Sequence, residues 1–272
     1  MASSSSNPAF TNSPAFSTRQ ATARQLTPAT ATLSAEQLNE MYESPSATSA
    51  DTGRMGYEDT IVKIASSFAI LLVGAAIGWF VPALFLPAAL IGFVLALVNI
   101  FKKKPSPALI LSYAAVEGVF VGGISSFFQT MFPGIVVQAV IGTLIVVGVT
   151  LALFASGKVR ASKKATKVFM IAMVGYVVFA LVNFVLMATG VNTEPFGLRS
   201  LDILPGVPLG AIIGIFVILL AAYSLVLDFD SIKTGVQRGA PRVYGWTAAF
   251  GIMITVVWLY LEILRLLAIF RE

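Results

Sequence analysis

Six ionisable side chains stand where the chain is otherwise apolar: Lys63, Glu117, Asp228, Asp230, Glu262 and Arg265. Carboxylates in such surroundings can exchange a proton or meet a passing cation. Each ionisable group in a membrane helix costs about 2.5–3.5 kcal/mol on insertion scales, so those that persist usually pair or line a polar path. The chain contains no His and no Cys, which removes thiolate nucleophiles, disulfides, the usual zinc and haem ligands and every Ser-His-Asp arrangement. Proton sensing then falls to carboxylates. Asp228 and Asp230 point about 200° apart on a helix and form no dyad from one element. A pairing of Asp228 with Glu262 stays open. The last apolar stretch carries no Lys for a Schiff base. The expectation is a protein without enzymatic activity or a resident cofactor.

The six differ in setting. Lys63 lies near the start of its apolar run, where it can snorkel to the surface beside Glu58 and Asp59. Glu117, within Tyr113-Ala-Ala-Val-Glu-Gly-Val-Phe-Val-Gly-Gly123, is about 13 Å deep at 1.5 Å per residue, near mid-membrane. Asp228 and Asp230 end an apolar run as Leu227-Asp-Phe-Asp-Ser-Ile-Lys233. A helix C-terminus disfavours anions there, so something other than helix stability keeps them, unless both are solvated and Asp230 pairs with Lys233. Glu262, in Trp258-Leu-Tyr-Leu-Glu-Ile-Leu-Arg265, shares a helix face with Arg265, three residues on. An internal bridge between them is the structural alternative to a gating role.

The elements that must position these residues are membrane helices. Of 272 residues, 57% are apolar and 11% charged, against about 45–50% and about 25% in a soluble domain. A water-soluble monomer of this size could not hide so much apolar surface. From Ile61 on, apolar runs of about 20 residues recur, each able to cross about 30 Å of hydrocarbon. Seven are expected: Ile61 to Phe80, Ala83 to Phe101, Ala108 to Phe132, Ile135 to Ala155, Val168 to Thr189, Val207 to Leu227 and Gly245 to Phe270. Pro82, Lys102-Lys103-Lys104-Pro105, Pro133-Gly134, the run Lys158 to Lys167, Pro195 to Pro205 and Gly239-Ala240-Pro241 break them. Pro82 and Pro87 make the first break the least distinct, since the flanking runs also read as one broken hairpin. Small residues four apart, Gly74 and Gly78, Gly118 and Gly122, and Gly206, Gly210 and Gly214, let helix backbones approach closely, and ordinary packing accounts for them.

Residues 1–54 are rich in Ser, Thr, Ala, Pro, Asn and Gln and bury too little to offset ordering entropy; they are expected to form a disordered cytoplasmic tail. A short helix at Ser34 to Tyr42 is the one element expected within it. No cleaved signal peptide is apparent. The seven-helix domain is expected over residues 55–272.

The net charge is +5, and its distribution speaks for topology rather than nucleic acid. Eleven of the eighteen basic residues fall in the second, fourth and sixth loops, which contain Lys102 to Lys104, Lys158 to Lys167, and Lys233, Arg238 and Arg242. Short cytoplasmic loops collect such residues. The N-terminus is therefore expected inside and the C-terminus outside, and the loops lack the interleaved aromatics that stack on bases.

The order of these features resembles the Bax inhibitor-1 family, in its actinobacterial branch. The likeness begins near Gly56-Tyr-Glu-Asp-Thr-Ile-Val-Lys63 and continues through the Glu117 segment, Pro133-Gly-Ile-Val-Val-Gln138, Leu-Asp-Phe-Asp-Ser-Ile, Gly239-Ala-Pro241 and Trp-Leu-Tyr-Leu-Glu-Ile-Leu-Arg-Leu-Leu. It implies an all-α fold of seven transmembrane helices with the last helix central, in a bacterial cell (inner) membrane. For characterised bacterial relatives it implies a pH-sensitive calcium leak with a latch of two carboxylates from the last two helices. Carried over by position, these are Asp228, four before Ile232, and Glu262, where Glu stands for the commoner Asp. The resemblance makes this pair the ion and proton gate and the ligands of transiently bound calcium.

Asp230 and Arg265 are accessory candidates. Straight spans would separate Asp228 from Glu262 by about 25 Å along the membrane normal, so a direct pair needs the sixth span to run further inward or the seventh to begin deeper in the cytoplasm. Glu117 is the alternative partner at intermediate depth, so the expected ion and proton gate comprises Asp228, Glu262 and Glu117. Two close carboxylates would titrate as a unit, and calcium, which takes 6–8 oxygens, would be held weakly by them with carbonyls and water, as passage requires. The expected partners are the bilayer and calcium or other cations. The rival reading is a non-transporting stress or protease regulator that acts through other membrane proteins.

Overall fold

A computed structural model describes residues 52–271. The expected tail up to residue 51, with its short helix, lies outside the described residues. Helix α1 spans Tyr57–Phe80, and a 3-10 turn over Pro82–Leu84 leads directly into α2, Phe85–Phe101. Pro82 thus ends one helix and starts the next, and the first two spans are separate. Then follow α3 (Pro107–Met131), α4 (Ile135–Ala155), α5 (Lys163–Ala188), α6 (Leu209–Gln237) and α7 (Gly245–Ile269). Among the described residues seven helices are long and apolar enough to cross a membrane. The connection from α5 to α6 holds a 3-10 turn, Gly197–Ser200, and a short antiparallel pair, β1 (Asp202–Leu204) with β2 (Val207–Pro208).

Burial has the sense expected in lipid. Leu72, Phe93, Leu144, Ile171 and Leu219 point outward, each about two-thirds exposed, a surface that only hydrocarbon can cover at this density. The protein is an integral membrane protein. The centre belongs to α7, where Ala249, Met253, Leu259 and Ala268 are fully enclosed and which packs on α1, α3, α4 and α6. By contrast α5 buries only Phe169. It rests chiefly on α6 and the Gly197–Ser200 turn.

The small residues set the closest approach. A Cβ on Gly118 would run into the Leu71 carbonyl, and one on Gly122 into the Ala75 carbonyl; Gly74 and Gly78 meet Ala115 and Val119 in the same way. Helices α1 and α3 therefore interlock backbone to backbone.

Helix α6 differs most from expectation. It continues to Gln237, well past Leu227. An apolar run ends at its first charge, but a helix need not: Phe229, Ile232 and Val236 continue one face at helical spacing while polar residues take the other. Asp228 therefore lies inside a helix and not at its C-terminus, and the dipole penalty expected there does not apply. The early starts of α1 at Tyr57 and α5 at Lys163 have the same origin, with Ser162 capping α5 through the Ala165 N–H at 3.2 Å.

Candidate functional site

Asp228 meets α7 at a small polar patch. The Thr255 hydroxyl donates to Asp228 Oδ2 at 2.7 Å, and Ser224, one turn earlier on α6, lies 3.4 Å from the same hydroxyl. Room for the carboxylate comes from Gly251, where a Cβ would stand 3.3 Å from Oδ1. Thr255 is ten residues into α7, about 15 Å from its start, so Asp228 is level with the middle of the bundle. Among the described residues it forms no ion pair within 4.0 Å.

A cavity of about 380 Å³ leads from Asp228 toward the end of the bundle where α6 finishes and α7 begins, past Ser231, Gly235 and Thr247. Met55 stands in its wall, 6% exposed, with its sulfur against Gly235. It is held there by a strap of extended chain. The Met55 N–H donates to the Ala240 carbonyl at 2.7 Å and the Arg242 N–H to the Gly53 carbonyl at 2.9 Å, with Arg54 and Pro241 bridged between them. Beside the strap, Asp59 forms ion pairs with Lys63 and, at 2.7 Å, with Arg242. Lys63 also donates to the Arg242 carbonyl at 2.7 Å. Lys63 thus turns back toward its helix end, where partners await it.

Glu262 has a different environment. It is 2% exposed, paired with Arg265 at 2.6 Å and with Arg199 at 3.2 Å, and it accepts a hydrogen bond from the Tyr176 hydroxyl. Arg199 also donates to that hydroxyl at 3.0 Å, and its guanidinium lies 5.6 Å from the Tyr176 ring centre. The 3-10 turn carries Arg199 inward, and Asn183 of α5 fixes the turn by accepting the Leu198 N–H at 2.6 Å. The internal bridge weighed for Glu262 and Arg265 is formed, with a second arginine added to it.

Glu117 sits on α3 with the Tyr113 hydroxyl as its polar partner. It faces Gly92 of α2, where a Cβ would come 3.0 Å from its Oε2. The Tyr113 ring packs edge-on against Phe250 of α7, with centroids 5.1 Å apart. Asp230 makes no ion pair with Lys233.

The three buried carboxylates therefore occupy three places. Thr255, which marks the level of Asp228, and Glu262 are two turns apart on α7, about 10 Å. The direct Asp228–Glu262 latch, and a calcium site made of that pair, are not formed in this structure. The longer α6 brings Asp228 to mid-depth, as a direct pair requires, but Glu262 lies beyond it and its oxygens are taken by Arg199, Arg265 and Tyr176. Among the described residues no three acidic side chains converge as a metal site would need. Arg199, Tyr176 and Thr255 carry the site without having been singled out from the sequence. Arg199 had a signal: a lone arginine beside Phe196 and Leu198 in a loop otherwise poor in basic residues.

With this geometry in place, the chain can be set beside known proteins. The family model described as Bax inhibitor 1 like matches residues 7–272, nearly the whole chain, and the chain belongs to that family. Comparison with curated proteins returns no match.

Proposed function

We propose that this member of the Bax inhibitor 1 like family is a cation leak, permeable to calcium and controlled by protonation of Asp228. One observation carries the reading: Asp228 is a mid-bundle carboxylate on a cavity, and among the described residues no cation neutralises it and a single hydroxyl holds it. Such a group changes charge without first breaking an ion pair. Ionised, it draws a cation in; protonated, it does not. One carboxylate with the Thr255 and Ser224 hydroxyls supplies far fewer than the 6–8 oxygens calcium prefers, and weak binding lets the ion leave. Glu117, at similar depth on the opposite side of α7, is the second protonatable group, and Glu262 serves as a fixed anchor. Calcium is cargo here, no cofactor is required, and no bond-making chemistry is assigned.

In this proposal the cavity mouth and the strap face the cytoplasm of a bacterial cell and the C-terminus lies outside, a reading supported by the tendency of short cytoplasmic loops to collect Lys and Arg. Purified protein in dye-loaded vesicles is expected to give a calcium flux that varies with pH, and Asp228→Asn to flatten that dependence. A flux equal to that of empty vesicles refutes the leak. It would leave the second role, a regulator acting on other membrane proteins.

A further inference from the structure

We infer that the cleft between α3, α5 and α7 is a binding site for an anionic phospholipid, with its headgroup on Arg199 and Arg265. The cleft measures about 410 Å³. Its walls are mainly hydrocarbon, with Phe120, Ile124 and Phe128 of α3, Phe184 of α5, and Leu261 and Leu264 of α7, and Tyr176 and Asn183 of α5 add uncharged polar groups. Among the described residues that line it, Arg199 and Arg265 are the charged ones. Behind them stands Glu262, the one carboxylate they share.

Two guanidiniums on one carboxylate leave an excess positive charge within a membrane protein. Unbalanced charge is costly in that medium, and a guanidinium recognises carboxylate or phosphate oxygens through paired N–H donors. Arg199 is enclosed, with its side chain 5% exposed, and faces Glu262 and Tyr176. Arg265 keeps 35% of its side chain exposed while lining the cleft, so it can take a second oxygen group without releasing Glu262. Both arginines lie toward the end of the bundle where α7 finishes, Arg265 about one turn before Ile269, at the level of a headgroup.

The shape of the cleft selects the occupant. The peripheral helix α5 rests on α6 and the 3-10 turn, and the space between it and α3 is the cleft itself. Phe184, 67% exposed, stands at its edge. A molecule with an anionic oxygen group and an acyl chain can enter sideways from the bilayer, lay the chain against the phenylalanines and present the head to the arginines. A small inorganic anion would leave the apolar walls bare. The remaining acids of the α5–α6 connection, Glu194 and Asp202, are exposed in the loop and line no part of the cleft.

The test is lipid retention by the purified full-length protein, read by native mass spectrometry from micelles doped with equal phosphatidylglycerol and phosphatidylcholine. Preferential retention of phosphatidylglycerol is expected. Arg265→Gln should lower that preference about tenfold, the worth of one charge-assisted contact. Arg271→Gln removes a charge at the same end that binds the Pro133 carbonyl and Gln138 outside the cleft, and should leave the preference unchanged. Phe184→Trp, at the edge, should lower retention of both lipids without touching any charge, which keeps the test decisive if Arg265→Gln does not fold. Equal effects of the two arginine variants would show attraction to a charged surface and overturn the proposal. Equal retention of the two lipids by the parent, or displacement of the lipid by millimolar inorganic phosphate, overturns it as well.

Discussion

The division between Asp228 and Glu262 makes opposite demands on two conservative substitutions. Glu262→Gln keeps the volume but leaves Arg199 and Arg265 without their carboxylate. The Arg199–Glu262 pair is almost fully enclosed, at 5% and 2% exposure, and removing one partner of such a pair costs about 3–5 kcal/mol because the other charge stays buried. Asp228→Asn removes the charge from a group with one hydrogen-bond partner among the described residues, the Thr255 hydroxyl, and the amide oxygen can still accept that bond. The expected cost is below about 1.5 kcal/mol. At about 2–4 °C per kcal/mol for a chain of this size, Glu262→Gln should melt about 6–20 °C below the parent and Asp228→Asn within about 6 °C of it. Thermal unfolding of the detergent-purified proteins by circular dichroism measures this, and vesicle flux measures the other half: Asp228→Asn should lose the pH dependence while remaining folded. Equal losses of stability in the two variants, or a Glu262→Gln protein that melts like the parent, would refute the assignment of anchor and working group.

Thr255→Val removes the donor that faces Asp228; the pH midpoint of the calcium flux should move, with a stability change of about 1 kcal/mol. Met55→Ala shortens the side chain in the wall of the Asp228 cavity and should raise the flux at every pH while leaving the midpoint where it was; an unchanged flux would remove Met55 from the path. Gly118→Val drives a side chain into the Leu71 carbonyl and should abolish folded, monodisperse protein in size-exclusion chromatography. Glu117→Gln, at a carboxylate facing Gly92 and Tyr113, should leave the unfolding temperature within a few degrees and narrow the pH range over which flux changes.

The helices were legible from the sequence because hydrocarbon demands one property of every lipid-facing stretch, and apolar length reports it directly. The ends were less legible. Asp228 terminates an apolar run but not a helix, since α6 continues to Gln237 as an amphipathic element with Phe229, Ile232 and Val236 on one face. The acidic candidates were visible because their cost in lipid makes each one conspicuous. Of the partners of Glu262, Arg265 was legible three residues on, but Arg199 was not, because that pairing depends on the turn that carries Arg199 inward, and a loop charge reads as solvated when counted by loop. Thr255 was silent for another reason: a threonine in a membrane helix usually bonds its own backbone, and only the facing carboxylate gives this one a role.

Pairing also determines which part of the molecule can respond when Asp228 changes charge. At its far end α7 is tied through Glu262 to Arg199 and Tyr176, and at its near end Gly245 is packed against Lys63 and Thr60, within the Asp59–Arg242 cluster. A slide of α7 would break ion pairs at one or both ends, at a cost of several kcal/mol. Moving α6 breaks none of them: beyond Leu225 and Val226, its last buried positions, the segment from Leu227 to Gln237 is only half-buried or exposed, and the strap meets it through the Met55 contact with Gly235. If Asp228 is the titrating group, its loss or gain of charge is therefore expressed in the end of α6 and in the strap, against an α7 that stays in place. Spin labels at Gln237 and Arg271 should then change separation with pH in the parent and not in Asp228→Asn, and a label pair within α7 should stay constant in both.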